Sequence, residues 1–122
     1  AKAAGARVVR SPVKEIGWYH VALTPDGKKD SLLAGFRENE EIYHWHGDMF
    51  EIPEGGALLA TGTGCPNQAF RVGKNAYGFQ FHMEITDKSI KEWCDEYSAT
   101  DLILLAIELH ILGRAILILH RL

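Results

Sequence analysis

The interpretation of this chain depends on one stretch, Gly78-Phe79-Gln80-Phe81-His82-Met83-Glu84. It leads from apolar residues into a histidine and a glutamate that are two positions apart. Side chains two positions apart on an extended strand point to the same side of it. A histidine that acts as a general base needs an acceptor on its other ring nitrogen, and a carboxylate in this place can provide one. The spacing therefore predicts a base at His82 and an orienting residue at Glu84.

A histidine and a glutamate at this spacing are common, and their simplest interpretation is two neighbouring surface side chains. The whole stretch, however, resembles the G-x-Q-F-H-x-E signature of class I glutamine amidotransferases. Four further segments resemble the same family, at residues 1–12, 15–19, 44–48 and 65–70. The likeness covers most of residues 1–97, and it is greatest for the GMP synthase-like members.

The resemblance implies a function and a site. In that family a cysteine attacks the side-chain amide of glutamine, a histidine carries the proton and a glutamate orients the histidine. By position, His82 would be the base and Glu84 the orienting residue. The segment next to the glutamine pocket corresponds, less specifically, to Trp45, His46, Gly47 and Asp48. Glutamine is the implied substrate, a synthetase is a possible partner, and no metal or cofactor is implied.

The family's cysteine lies on a strand-to-helix turn that would fall just upstream of Ala1. Neither cysteine of this chain suits that role. Pro66 and a predicted strand follow Cys65 where a helix is required, and helical spacing places Cys94 on a buried face. We therefore expect residues 1–122 to be a single but incomplete domain, the C-terminal part of the family fold, and inactive alone. An N-terminal segment or a second chain would complete it.

The implied fold is α/β, with an open, mostly parallel sheet flanked by helices, as in flavodoxin-like amidotransferases. Local patterns add a centre rich in hairpins and helices near the C-terminus. A helix is predicted to begin after Thr86, and a second from Leu102. Strands are predicted at residues 7–10, 15–23, 41–45 and 57–61, a short helix at 31–36, a break at 46–48, and a hairpin formed by 68–72 and 76–81.

The composition indicates which partners and which cellular compartment to expect. The formal charge is −3 and the sequence pI is about 6.1, with no basic run longer than two residues, which argues against a nucleic-acid partner. Two cysteines and no apolar leader favour a reduced, cytoplasmic environment. Residues 102–119 are apolar, but Glu108, His110 and Arg114 interrupt them, so a buried helix is favoured over a membrane span.

Two alternatives compete with an amidotransferase. His44, His46 and Glu51 have a spacing that can bind a metal and resembles the first motif of cupins, which are all-β barrels. No second cupin motif follows, and two C-terminal helices fit a small barrel poorly. The other alternative is an amidotransferase-like fold without chemistry, acting as an interaction module.

Overall fold

A computed structural model describes residues 1–96, together with their side chains except that of Cys94. The second predicted helix, from Leu102, lies outside the described residues. Within residues 1–96, no helix has the length and apolar character needed to cross a membrane. The strands are β1 (Val8–Leu23), β2 (Asn39–Phe50), β3 (Ala57–Gly62), β4 (Ala69–Val72) and β5 (Ala76–Phe79). The helix α1 is Asp87–Glu96. Short 3₁₀ helices span Lys2–Ala4, Gly27–Lys29 and Ser31–Leu33.

The strands form one sheet in the order β2-β1-β3-β4-β5, and every neighbouring pair is antiparallel. The expected open, mostly parallel sheet is therefore wrong for the part of the chain that the structure describes. Parallel neighbours need a crossover connection of a dozen or more residues, usually with a helix. The connections after β2, β3 and β4 are too short for this, so each strand returns beside the one before it or beside β1.

The sheet curls into a half-barrel. Beyond β5, His82 pairs with Tyr43 of β2 through an isolated antiparallel bridge, in which His82 N donates to Tyr43 O at 2.9 Å. This bridge brings the two edges of the sheet together. The long strand β1 shifts register between Arg10 and Glu15, an irregularity that bends a strand and increases its twist.

Several local predictions are confirmed. The predicted hairpin is present as β4 and β5, joined through Gly73 at φ +62°. Thr86 caps α1, because its hydroxyl accepts from Ser89 N at 3.2 Å. The predicted short helix at residues 31–36 is a 3₁₀ turn of three residues.

Two predicted strand boundaries are wrong. The expected break at residues 46–48 lies inside β2, where His46 and Asp48, the residues before and after Gly47, both pair with β1. Ser11 and Pro12 do not end a strand either, because β1 runs through them. Pro12 lies in the gap of the register shift, where the ladder needs no N–H donor.

The core is a cluster of buried apolar side chains. It combines residues from four strands, the 3₁₀ segment and the chain beyond β5: Val21, Leu23, Leu33, Ile42, Leu59, Ala60, Ala69 and Phe81. Phe81 and His82 are neighbours with opposite directions. The side chain of Phe81 lies in the core, whereas that of His82 contacts Trp93 of α1.

Asp30 fastens the 3₁₀ segment to the β4–β5 hairpin. Its carboxylate accepts from Leu32 N at 3.0 Å, Arg71 Nε at 2.7 Å and Tyr77 OH at 3.1 Å. Burial acts to raise the pKa of Asp30, but these three bonds together outweigh it, so the pKa lies below its usual value.

Replacing Asp30 by asparagine is expected to lower the free energy of unfolding by about 2 kcal/mol at neutral pH, since Arg71 is partly exposed and the ion pair is partly screened. A lowered folded-state pKa stabilises the fold above the unfolded-state pKa of about 3.9 and ceases to do so as pH falls through the folded-state value. Urea unfolding between pH 7 and pH 3 should therefore show the difference between the two proteins shrinking only below about pH 4. The exposed Asp26→Asn is the control, and an equal loss in both variants would contradict the assignment.

Candidate active site

His82 and Glu84 form a hydrogen-bonded pair. His82 Nδ1 lies 2.7 Å from Glu84 Oε1, so the prediction that the two side chains project together is confirmed. They do not lie at a strand end, however, because β5 ends at Phe79. The His82 side chain is 28% exposed and that of Glu84 69% exposed. The pair is thus accessible from solvent.

The bond fixes the chemistry of each partner. An ionised carboxylate only accepts, so Nδ1 of His82 carries the proton and Nε2 is the basic nitrogen. The hydrogen bond from His82 is also the main reason that the pKa of Glu84 lies below its ordinary value. Glu84 therefore remains an acceptor over the whole neutral range.

Aromatic rings hold His82 from one side. The Trp93 ring of α1 meets the His82 ring edge to face, with centroids 4.9 Å apart. Trp93 also packs against Trp45 at 5.8 Å and Tyr43 at 6.3 Å, both on β2. We call these three residues, Tyr43, Trp45 and Trp93, the aromatic wall. Within it, Trp93 packs on the imidazole of His82, and Tyr43 and Trp45 pack on Trp93.

The four residues predicted beside the glutamine pocket are divided between the two faces of β2. Trp45 belongs to the aromatic wall and shares the face of Tyr43 and His82. His46 points to the opposite face, where its side chain is 7% exposed. Asp48 Oδ1 lies 3.6 Å from Arg10 Nη1 in an exposed ion pair. Gly47 lies between His46 and Asp48 on β2. The structure thus brings only Trp45 into the aromatic surroundings of His82.

On the face of β2 opposite Trp45, four polar side chains form a buried group that we call the inner cluster: Glu15, His44, His46 and Gln68. Glu15 Oε2 accepts from Gln68 Nε2 at 3.0 Å and lies 2.8 Å from His46 Nε2 and 3.3 Å from His44 Nδ1. Burial opposes the ionisation of Glu15, but these contacts outweigh it and hold its pKa at about 2. Glu15 is therefore a charged group inside the fold.

Cys65 has the surroundings of an inert thiol. It is fully buried, and burial is the main reason that its pKa is raised; the nearby Glu15 carboxylate acts in the same direction. The chain continues into β4 rather than into a helix. A nucleophile needs the thiolate at neutral pH and access to substrate, and Cys65 has neither.

Glu51, the carboxylate of the cupin alternative, does not join His44 and His46. Both of its oxygens accept from Arg7, from Nε at 3.0 Å and from Nη2 at 2.6 Å. The carboxylate that meets the two histidines is Glu15 of β1, which stands opposite His46 in the β1–β2 register. Sequence spacing alone did not indicate it.

A surface pocket of about 360 Å³ lies away from these groups, lined by Asp26, Lys29, Asp30, Ser31, Arg71, Lys74 and Tyr77. None of the predicted site residues lines it. Among its lining residues, Arg71 and Tyr77 both donate to Asp30, so the pocket belongs to the structural junction described above.

The helix after Thr86 was predicted, but the contact of its Trp93 with His82 was missed. The signal available in the sequence was an aromatic residue on the apolar face of the helix that follows the His-Glu pair. Because α1 begins shortly after Glu84, its apolar face has to turn back onto the strand end. That reasoning would have placed an aromatic ring near the base.

Known proteins support the resemblance. No protein-family model matches the chain. A glutamine amidotransferase-like protein of Salmonella typhimurium, YfeJ, is 41% identical over 90 residues, which are 74% of this chain and 38% of that protein. A glutamine-hydrolysing GMP synthase of Porphyromonas gingivalis is 38% identical over 85 residues, which are 67% of this chain and 16% of the synthase.

A solved structure indicates the same family. The crystal structure of a glutamine amidotransferase from Thermotoga maritima superposes with a TM-score of 0.70 and 35% identity, over 79% of this chain and 40% of that one. The chain thus spans well under half the length of each of these relatives. Sequence and fold agree on one family, and the curled antiparallel sheet is the part of its α/β fold that this chain contains. The chain belongs to the class I glutamine amidotransferase family and is of the GMP synthase type.

Proposed function

We propose that residues 1–122 form part of a domain that hydrolyses glutamine to glutamate and ammonia, in which His82 is the general base and Glu84 orients it. The bond of 2.7 Å between His82 Nδ1 and Glu84 Oε1 is the observation that supports this most directly. It leaves Nε2 as the basic nitrogen on a partly exposed ring. Base and orienting carboxylate are two members of a Cys-His-Glu triad.

The nucleophilic thiol in this proposal comes from a segment outside these 122 residues, since Cys65 is buried and has a raised pKa. His82 Nε2 takes the thiol proton while the sulfur attacks the side-chain carbonyl carbon of glutamine. The same proton passes to the amide nitrogen, and ammonia leaves as the tetrahedral intermediate collapses to a glutamyl thioester. Water, activated by Nε2, then hydrolyses the thioester, which releases glutamate and restores the thiol.

Trp45 is the residue of the predicted pocket segment that we place beside the substrate, because it packs against the tryptophan that contacts His82. His46, Gly47 and Asp48 contribute by holding β2 in place. His46 Nδ1 donates to Asp48 O at 3.0 Å, which supports this role.

The proposed partners follow from the same reasoning. An N-terminal segment or a second chain completes the domain, and a synthetase domain or subunit receives the ammonia. The relative from Porphyromonas gingivalis, a glutamine-hydrolysing GMP synthase, supports a synthetase as acceptor. Ammonia that passes within one assembly is protected from protonation in bulk water, which favours an acceptor attached to the enzyme.

Replacing Glu84 by glutamine is expected to lower glutamine turnover by about 10-fold to 100-fold, because an amide no longer fixes the proton on Nδ1 or stabilises the imidazolium. The assay would measure glutamate release by the chain produced together with a cysteine-bearing amidotransferase segment. The exposed Glu54→Gln is the matched control and should leave turnover unchanged. Full turnover in the Glu84 variant would show that the carboxylate does not orient the base.

A further inference from the structure

Three potential metal ligands converge in the inner cluster, on the side of the sheet opposite His82. They are Glu15 of β1 and His44 and His46 of β2, and their ligand atoms all lie within 4.8 Å of one another. Their side chains are 3%, 0% and 7% exposed. A converging set of two imidazoles and one carboxylate in a buried position is a donor set that suits zinc.

The hydrogen bonds of His46 are of the kind that a metal-binding histidine makes. A backbone carbonyl only accepts, so the bond from Nδ1 to Asp48 O places a proton on Nδ1. In the neutral ring, Nε2 then presents a lone pair toward Glu15 Oε2, 2.8 Å away. Two electron pairs facing each other need a cation between them, which is either a proton on Nε2, as in an imidazolium, or a metal ion. A histidine that binds a metal typically donates its other N–H to a backbone carbonyl in this way.

His44 gives a second, independent indication. It is fully buried, and among the described residues neither ring nitrogen has a hydrogen-bond partner. Nδ1 points into the cluster, 3.3 Å from Glu15 Oε2, without the alignment of a hydrogen bond. A buried polar group without a partner costs about 1–3 kcal/mol. A cation held at Nδ1 would remove part of this cost.

We propose that Glu15, His44 and His46 bind one divalent transition metal ion of the zinc type. Ligands at 2.0–2.1 Å from a tetrahedral zinc ion are about 3.3 Å apart. The separation of His44 Nδ1 and Glu15 Oε2 already has this value, at 3.3 Å, and that of His46 Nε2 and Glu15 Oε2, at 2.8 Å, has to lengthen by about 0.5 Å. A water molecule completes the fourth position.

The role of this ion is structural. Glu15 comes from β1 and the two histidines come from β2, so the ion joins the strands where Trp45 projects between His44 and His46 on the other face. It would thereby hold the strand that carries two members of the aromatic wall. The proposal does not rest on glutamine hydrolysis, because neither His82 nor Glu84 is among the three ligands.

The test is a metal titration of the chain produced together with a cysteine-bearing amidotransferase segment, as in the activity assays, after the assembly has been stripped with a chelator. We expect one equivalent of Zn²⁺ to bind, and saturating Zn²⁺ to raise the Tm by about 5 °C or more. Co²⁺, used as a spectroscopic probe, should give the intense visible absorption of a four-coordinate site. A chain that circular dichroism shows to be folded, and that neither binds an equivalent of Zn²⁺ nor gains stability from it, would overturn the proposal.

Variants identify the ligands. Glu15→Gln and His44→Asn should each weaken Zn²⁺ binding by about 100-fold or more and abolish the Co²⁺ absorption. Glu51→Gln, which removes the carboxylate that sequence spacing had suggested, and His20→Gln, which removes an exposed histidine, should both bind as the parent does. Undiminished binding by Glu15→Gln, or its loss in Glu51→Gln, would overturn the assignment. Should Glu15→Gln fail to fold, the parent titration and the Glu51 variant still decide.

Discussion

Replacing His82 by alanine is expected to reduce glutamine turnover by about 1,000-fold in an amidotransferase assembled from this chain and a cysteine-bearing segment. The loss should be large because the variant has no substitute base. Glu84 is the nearest titratable group to the ring, and its pKa lies below the usual range of a carboxyl, which makes it a weaker base still. Without a base, the thiol stays protonated and the leaving amide nitrogen receives no proton.

The measurement is glutamate release at saturating and at limiting glutamine, so that kcat and KM are separated. An essential base lowers kcat, with KM changed much less. His20→Ala, on the exposed side of β1, is the control for the removal of a histidine and should leave both constants unchanged. A His82 variant that retains more than a tenth of the parent turnover would show that another group is the base.

Loss of activity has to be separated from loss of structure. The link of His82 to β2 is a backbone hydrogen bond, from its N–H to Tyr43 O, and it survives any substitution except proline. The contact with Trp93 does not survive in alanine. His82→Asn keeps more of this packing but has no basic nitrogen, so it should retain the parent Tm while losing turnover as alanine does.

The sequence predicted well what depends on residues close together along the chain. The joint direction of His82 and Glu84, the hairpin and the Thr86 cap each require only a few neighbouring residues, and each is confirmed. The orientation of a side chain along an extended segment is a local property of the backbone. For this reason, the geometry of the candidate base could be stated before any tertiary structure was known.

The predictions that were wrong concern residues brought together by strand pairing. Glu15 meets His46 because of the β1–β2 register across 31 residues, whereas spacing along the chain had suggested Glu51. Nothing local distinguishes a carboxylate that pairs with an arginine from one that turns toward two histidines. The prediction of parallel strands was wrong for a related reason. The family resemblance describes a whole fold, and this chain contains its antiparallel part.

Gly27, the first residue of the 3₁₀ helix that follows β1, should be the glycine least tolerant of a side chain among the described residues. Replacing Gly27 by alanine is expected to lower the free energy of unfolding by about 3 kcal/mol or more, because the new atom has no space. Its Cβ would lie 1.9 Å from the backbone oxygen of Leu59, a fully buried residue of β3. Neither side can yield: Thr24 fastens the turn to β3 through bonds to Leu59 O at 2.9 Å and Leu58 O at 2.6 Å.

The matched control for this substitution is Gly47→Ala. A Cβ at Gly47 would meet its nearest heavy atom, on the Arg10 side chain, at 3.7 Å, an ordinary contact. Alanine also loses less backbone entropy than glycine in a strand, so the change should stay within about 1 kcal/mol of the parent. Urea unfolding of both variants measures the difference, and similar midpoints for Gly27→Ala and the parent would mean that the turn does not press on β3. The comparison is sharp because the same added methyl group is expected to be harmless on β2 and prohibitive at the turn after β1.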